Sequence, residues 1–89
     1  MEQSTQPPGA TFTRDGVVYR ETSLGYVLED ASECTARTYR VLDGTVGIGR
    51  LAFAGNTSLE MIALPEGVRQ IGDSAFSACE NLTRVVLPN

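Results

Sequence analysis

The sequence predicts a repeat fold, a mainly β solenoid with short helical turns, preceded by an N-terminal β-hairpin that caps it. Three observations lead there. Sliding the chain by 23 residues lays "GTVGIGRLAFAGNTSLEMIALPEG" (44–67) over "GVRQIGDSAFSACENLTRVVLPN" (67–89). Ile48, Gly49, Ala52, Phe53, Leu59, Ile62, Leu64 and Pro65 then fall on Ile71, Gly72, Ala75, Phe76, Leu82, Val85, Leu87 and Pro88, and only Ile62 against Val85 is not an identity,. Each copy closes with period-2 alternation ended by a proline, which has no N–H to give to a ladder. Near the N-terminus an Asp-Gly pair, Asp15 and Gly16, sits between alternating residues, a strong two-residue hairpin signal,.

The elements follow in order. Residues 1–10, "MEQSTQPPGA", are polar, carry two prolines and have nothing to bury, so a disordered tail is expected,. Residues 11–33 make the capping segment: "TFTRDGVVYRE" (11–21) is the hairpin, and "LGYVLED" (24–30) supplies a further strand,. Its physical use is to cover the open apolar end of the stack.

The repeat units occupy 34–89: a degenerate one at 34–44, then 45–67 and 68–89. "RTYRVLDG" (37–44) lies over "EMIALPEG" (60–67), so that Tyr39, Val41 and Gly44 meet Ile62, Leu64 and Gly67. Farther upstream the overlay needs a one-residue deletion, which puts Cys34 in the place of Cys79. Within a unit, Ile62 and Leu64 (or Val85 and Leu87) point inward while Ala63 (or Val86) points out. A second extended piece, "TVGIG" or "VRQIG", leads to Gly49 or Gly72. After it, "RLAFAG" and "DSAFSAC" are expected as tight helical turns that press Phe53 or Phe76 into the coil. Such a coil can bury nothing alone and gains stability by stacking on a copy of itself.

These residues resemble the BspA-like class of leucine-rich repeat, whose units read roughly I-G-x-x-A-F-x-x-C-x-x-L-x-x-I-x-I-P. The match is close over 46–89 and weak over 34–45. Asn56 departs from it where the family has cysteine. The resemblance implies a short right-handed solenoid of 23-residue units that begins with a hairpin. It also implies a non-catalytic role in protein binding among surface-exposed or secreted proteins, often linked to adhesion.

Composition narrows the function. With 42% apolar and 20% charged residues the chain is globular, and 89 residues allow one small domain,. Net charge is −4, all seven basic residues are arginine, and no basic stripe exists to track phosphates, so nucleic acid is not an expected partner,. The longest apolar runs are only a few residues and the N-terminus has no apolar export core, so neither membrane insertion nor a signal peptide is expected in this chain. Localisation stays open between the cell surface or secretion that the resemblance implies and the cytoplasm. Cys34 and Cys79 fit one disulfide or two reduced, buried thiols, and the second is the simpler reading.

Within "VGIGRLAFAG" (46–55), Gly47, Gly49 and Ala52 have the spacing of a dinucleotide loop. The second copy keeps Gly72 but has Gln70 in place of Gly47, and the chain is too short for a doubly wound sheet, so a structural use is expected and no cofactor,. Sequons at Asn56 and Asn81 occupy different places in the unit and read as coincidental. Cys34, Cys79 and several serines could be nucleophiles, but no histidine or lysine is present to activate them,. The adjacent Glu29 and Asp30 point different ways on a strand, and acidic residues are too scattered for a metal cluster. No enzyme is expected, and no catalytic, cofactor or metal residue is assigned.

What remains is surface. Outward positions of stacked strands form columns, Thr38, Met61 and Arg84 in one and Arg40, Ala63 and Val86 in another, flanked by Arg37, Glu60 and Thr83. Arg40, Met61, Ala63, Arg84 and Val86 are the candidate protein-binding face, since Met and Arg are common interface anchors. Arg84, Val85, Val86 and Leu87 form a strand edge without a following neighbour and are the candidate self-association edge, as a homodimer or as part of a longer array. The expected function is protein–protein interaction, with a structural or capping role in a longer repeat protein as the alternative.

Overall fold

The computed structural model describes residues 9–88. The expected tail over residues 1–8 and the last residue of the final unit lie outside the described residues. Gly9 and Ala10, taken with the tail in the sequence reading, both hydrogen-bond to Glu21. The described residues hold eight strands and no helix: β1 (Thr11–Arg14), β2 (Val17–Thr22), β3 (Gly25–Asp30), β4 (Thr38–Arg40), β5 (Thr45–Ile48), β6 (Met61–Ala63), β7 (Gln70–Ile71) and β8 (Arg84–Val86). They form two sheets, one ordered β1-β2-β3-β5-β7 and one ordered β4-β6-β8.

The hairpin forms where Asp15 and Gly16 allow it. Arg14 pairs with Val17 across the turn, and φ is 56° at Asp15 and 80° at Gly16, the pair of positive values a two-residue hairpin loop requires,. Gly16 is needed a second time, because a Cβ there would lie 2.6 Å from the Glu33 carbonyl oxygen. From β3 onward pairing is parallel. The 23-residue shift of the sequence becomes the register of the ladders: Thr38, Met61 and Arg84 align, as do Tyr39, Ile62 and Val85, and Arg40, Ala63 and Val86. In the other sheet Ile48 pairs with Ile71 at the same spacing, whereas Leu28 pairs with Ile48 after a register shift between Tyr26 and Val27.

The expected helical turns are not helices. Ala52, Ala54 and Asn56 donate N–H bonds to the carbonyls of Gly49, Leu51 and Phe53 at 3.2, 3.1 and 3.0 Å. The intervening donors of Leu51, Phe53 and Gly55 cross instead to Asp73, Ala75 and Ser77 of the next unit at 3.1, 2.7 and 2.8 Å. Left-handed φ values of 60° at Leu51 and 76° at Gly55, matched one unit on by 57° at Ser74 and 58° at Ala78, interrupt the right-handed path in both segments and prevent a helix,. Both segments are successions of tight turns, with the same bonds three residues back from Ala75, Ser77 and Cys79, and in the first every second N–H is diverted to the next unit.

One buried cluster draws on both sheets and the turns, including Val17, Tyr19, Leu28, Ile48, Phe53, Leu59 and Ile62. Equivalent residues differ sharply between units. Ile48, Ile62 and Leu64 are 2%, 0% and 7% exposed, but Ile71, Val85 and Leu87 are 51%, 49% and 64% exposed, since no strand lies beyond β7 and β8 among the described residues. Gly72 belongs to the same packing, because a Cβ on it would lie 2.5 Å from the Arg50 nitrogen. Thr45, where the next unit has Val68, is fully buried with no partner for its hydroxyl, and nothing in the structure explains it.

At the other end the cap joins the repeats through aromatic side chains. Phe12 stacks on Tyr19 at 5.5 Å and meets Tyr26 edge-on at 5.4 Å. The Tyr19 and Tyr39 hydroxyls share a hydrogen bond, and the Tyr19 oxygen also accepts the Leu42 N–H at 3.2 Å. Burial pushes both phenols above their ordinary pKa, and for Tyr39 the bond to Tyr19 pushes further in the same direction,. The hairpin strands extend one sheet only, so β4 keeps an open edge.

Two outcomes follow. Ile48→Ala should lower the unfolding free energy by about 2–5 kcal/mol, and Ile71→Ala by less than half as much, read from urea transitions. A raised phenol pKa keeps the folded state protonated where the unfolded chain ionises, so this stability is whole below about pH 10 and falls as pH rises above it. Tyr39→Phe should flatten that alkaline loss, which unfolding midpoints measured between pH 8 and 11 would follow.

Candidate functional site

The outward face of the β4-β6-β8 sheet brings together every residue of the candidate protein-binding face. Strand alternation sends Tyr39 and Ile62 into the core and leaves their neighbours outside,. Met61 and Ala63 are half-buried between flanking strands, while Arg40, Arg84 and Val86 are exposed. The register sets Met61 between Thr38 and Arg84, and Ala63 between Arg40 and Val86. Beside these columns Arg37 approaches Glu60 at 3.8 Å, a solvent-exposed pair worth at most about 1 kcal/mol,.

The candidate self-association residues divide in two. Arg84 and Val86 present outward side chains, and the Val86 carbonyl already accepts the Leu64 N–H at 2.9 Å. Val85 and Leu87 continue the core-facing columns of Tyr39 with Ile62 and of Val41 with Leu64, yet stay exposed. The apolar end of the stack is therefore Ile71, Val85 and Leu87, and the outward face is a separate surface.

The position that departs from the repeat pattern carries much of the local order. Asn56 is 7% exposed, and its side-chain amide donates to the carbonyls of Ala31 and Cys34 at 3.3 and 3.1 Å. Its side-chain oxygen accepts the N–H groups of Ser58 and Leu59 at 3.0 and 3.1 Å. One unit on, the Cys79 thiol makes the corresponding bond to the Phe53 carbonyl at 2.9 Å. Asn56 and Cys79 thus share one task, a donor reaching back to the preceding unit, and the asparagine adds two acceptor bonds. Both cysteines are free, and burial pushes the Cys79 thiol pKa up, away from thiolate reactivity,. The Asn56 sequon is closed by these bonds, whereas Asn81 is exposed and donates to the Thr57 carbonyl at 2.6 Å.

The glycine-spaced stretch has its donors engaged by the repeat. The N–H of Gly49 bonds to Leu28 at 2.7 Å, that of Leu51 to Asp73 and that of Ala52 to Gly49. A phosphate cradle needs such groups free. Among the described residues no group of three or more His, Cys, Asp or Glu side chains is placed to hold a metal ion, and no helix is long and apolar enough to cross a membrane.

Sequence reasoning missed two features. The Tyr19–Tyr39 contact joins residues of unrelated spacing, and no period marks it. The open edge of β4 is implied by its place as first strand of its sheet, but the hairpin was expected to cover that whole end.

Asn56→Ala should destabilise the fold by about 2–4 kcal/mol, because it leaves buried donors and acceptors unmatched. Asn56→Cys restores a donor like that of Cys79 but no acceptor for Ser58 and Leu59, and should recover only part of the loss in urea transitions.

No curated protein matches the chain, and no solved structure does. The family model described as BspA type Leucine rich repeat region (6 copies) matches residues 32–89, more than half of the chain. That span opens just before Cys34 and takes in the Asn56 and Cys79 positions and all of the β4-β6-β8 sheet. The chain belongs to the BspA-type leucine-rich-repeat family.

Proposed function

We propose that the chain is a non-catalytic leucine-rich-repeat module that binds another protein through the outward face of β4, β6 and β8. The observation that carries this reading is the set of in-register columns in which Met61, Ala63 and Val86 lie among Arg40 and Arg84. Methionine and arginine supply adaptable contact area and planar hydrogen bonding, the usual means of an interface anchor. The face is preformed by ladder hydrogen bonds, so little conformational entropy is lost on binding. Successive units are read as coils of a right-handed solenoid, the hand that parallel strand connections adopt. The absence of histidine and lysine and the raised thiol pKa of Cys79 favour display over catalysis. A surface protein is the partner class to test first, in keeping with the adhesion role that the resemblance implies.

A second reading has its own observation. Ile71, Val85 and Leu87 are half-exposed or more at positions whose equivalents are buried, so the Arg84–Leu87 edge is a place for self-association,. Val85→Lys would abolish a concentration-dependent mass in sedimentation, while a constant monomer mass up to millimolar concentration would remove this reading.

For the main reading, a partner captured by the wild-type chain is titrated against Met61→Glu/Arg84→Glu. The double variant should bind at least tenfold more weakly with an unchanged unfolding midpoint. Unchanged affinity would remove the face from consideration.

A further inference from the structure

We propose that the open edge of β4 is a docking site for an extended peptide segment of a partner protein that carries a basic side chain, taken up as an added strand beside Thr38–Arg40. The inference rests on the reading of the chain as a protein-binding module, but it uses a different surface from the outward face.

Backbone geometry comes first. Toward β6, β4 uses the Arg37 carbonyl, which accepts the Met61 N–H at 3.0 Å, and the Val41 N–H, which donates to the Ala63 carbonyl at 2.9 Å. Alternate residues of a strand turn their N–H and C=O groups to opposite sides, so those of Thr38 and Arg40 point away from β6. β4 is an edge of its sheet, and no backbone partner meets these four groups among the described residues. Two donors and two acceptors in a row are the template on which an extended peptide adds to a sheet.

The space beside that edge is shaped for one such segment. A groove of about 610 Å³ lies beside β4, lined by Thr38 and Arg40, by Asp15 and Gly16 of the hairpin turn, and by Glu33 and Thr35 of the segment before β4. No residue of β6 lines it. A second hollow of about 240 Å³ continues it past Arg14 and Asp43. The groove exists because the hairpin adds two strands, β1 and β2, to one sheet and none to the other. The resulting step is roughly 10 Å, two strand spacings, enough for an extended chain with its side chains. A second copy stacked in register, with its β8 on β4, would set its β7 where β2 already lies.

Charge completes the description of the occupant. The exposed carboxylates of Asp15 and Glu33, on the hairpin turn and on the segment before β4, both line the groove. A lysine or arginine on the added strand would meet these two carboxylates, against Arg40 as the one cation among the groove's lining residues, while the adjoining hollow sets Asp15 and Asp43 against Arg14 and Arg40,.

The probe is a blocked seven-residue peptide of alternating threonine and valine with a central lysine, and the readout is amide hydrogen exchange with chemical-shift mapping on the full chain. Exchange at Thr38 and Arg40 should slow at least fivefold at saturating peptide. The same peptide N-methylated at alternate residues should give no protection, since it cannot complete the ladder. Asp15→Asn/Glu33→Gln should weaken the lysine peptide at least threefold and a leucine-centred version less than twofold. Thr38→Pro, which removes one edge donor at the first position of a strand, should abolish binding. Met61→Glu/Arg84→Glu should bind the peptide as the wild type does, which separates this site from the outward face. Unchanged exchange at Thr38 and Arg40 at millimolar peptide overturns the proposal, as does protection at Val85 and Leu87 instead. Protection that needs no peptide and tracks dimer mass in sedimentation overturns it in favour of a second copy.

Discussion

The rest of the structure depends on the crossing of alternate backbone N–H groups from one unit to the next. Leu51, Phe53 and Gly55 donate to Asp73, Ala75 and Ser77, and Ala31 donates to Ala52, all between 2.7 and 3.1 Å. A unit closes only part of its hydrogen bonds within itself, and these donors find partners only across the boundary, so a unit has little reason to fold without a neighbour. The same dependence governs side chains: Phe53 is fully buried between Tyr39 at 6.4 Å and Phe76 at 5.3 Å, whereas Phe76, with no ring beyond it, is only partly covered. Stability resides at the contacts between units, and the exposure of Ile71, Val85 and Leu87 measures what one missing contact leaves open.

This constraint decides what was readable in the residues. Where the spacing is a constant 23, the alignment of Ile62 with Val85 gave the strand register and the outward columns directly, because a parallel ladder repeats its residues at the period of the chain. The first unit was harder to read. Leu28 sits 20 residues before Ile48, Ala31 bonds as Phe53 does 22 residues on, and Thr38 sits 23 before Met61, so three positions are lost in two places. The helical expectation failed for a different reason. Leu51, Ala52 and Ala54 favour a helix by a few tenths of a kcal/mol each, while each cross-unit bond is worth about 1 kcal/mol and leaving its acceptor buried and unmatched costs more. Local preference lost to the neighbour, and only the flanking Gly49 and Gly55 hinted at it.

The candidate face was legible for the same reason as the register, and its limits were not. Asn56 looked like a defect in the pattern, but its amide makes the donor bond of the cysteine and adds two acceptor bonds that order the chain into Leu59. Of the glycines that suggested a phosphate loop, Gly49 reflects close backbone approach, as Gly72 does one unit on, since a Cβ would lie 3.0 Å from the Leu28 carbonyl oxygen at the first and 2.5 Å from the Arg50 backbone nitrogen at the second, whereas a Cβ on Gly47 would meet only ordinary contacts. Neither substitution nor spacing could be weighed without knowing which groups of the preceding unit these residues would meet.

The outward face alone is small. Three strands of three residues span roughly 14 Å by 10 Å, far below the ~800 Å² per partner of a standard stable interface. A module that relies on this face must recruit adjoining surface, and the fold offers two continuations of different chemistry. Beyond β8 lies an apolar end of Ile71, Val85 and Leu87, suited to another coil. Beyond β4 lies the polar groove, with backbone groups that meet no partner among the described residues and with the carboxylates of Asp15 and Glu33. Arg40 belongs to both the outward columns and the groove wall, so a partner seated on the face with an extended segment in the groove would meet one continuous surface. The hairpin creates this arrangement by capping one sheet and leaving the other a step short, and it is pinned in place by the Tyr19–Tyr39 bond. A change that loosened that bond would reach the proposed docking edge from the core side of β4.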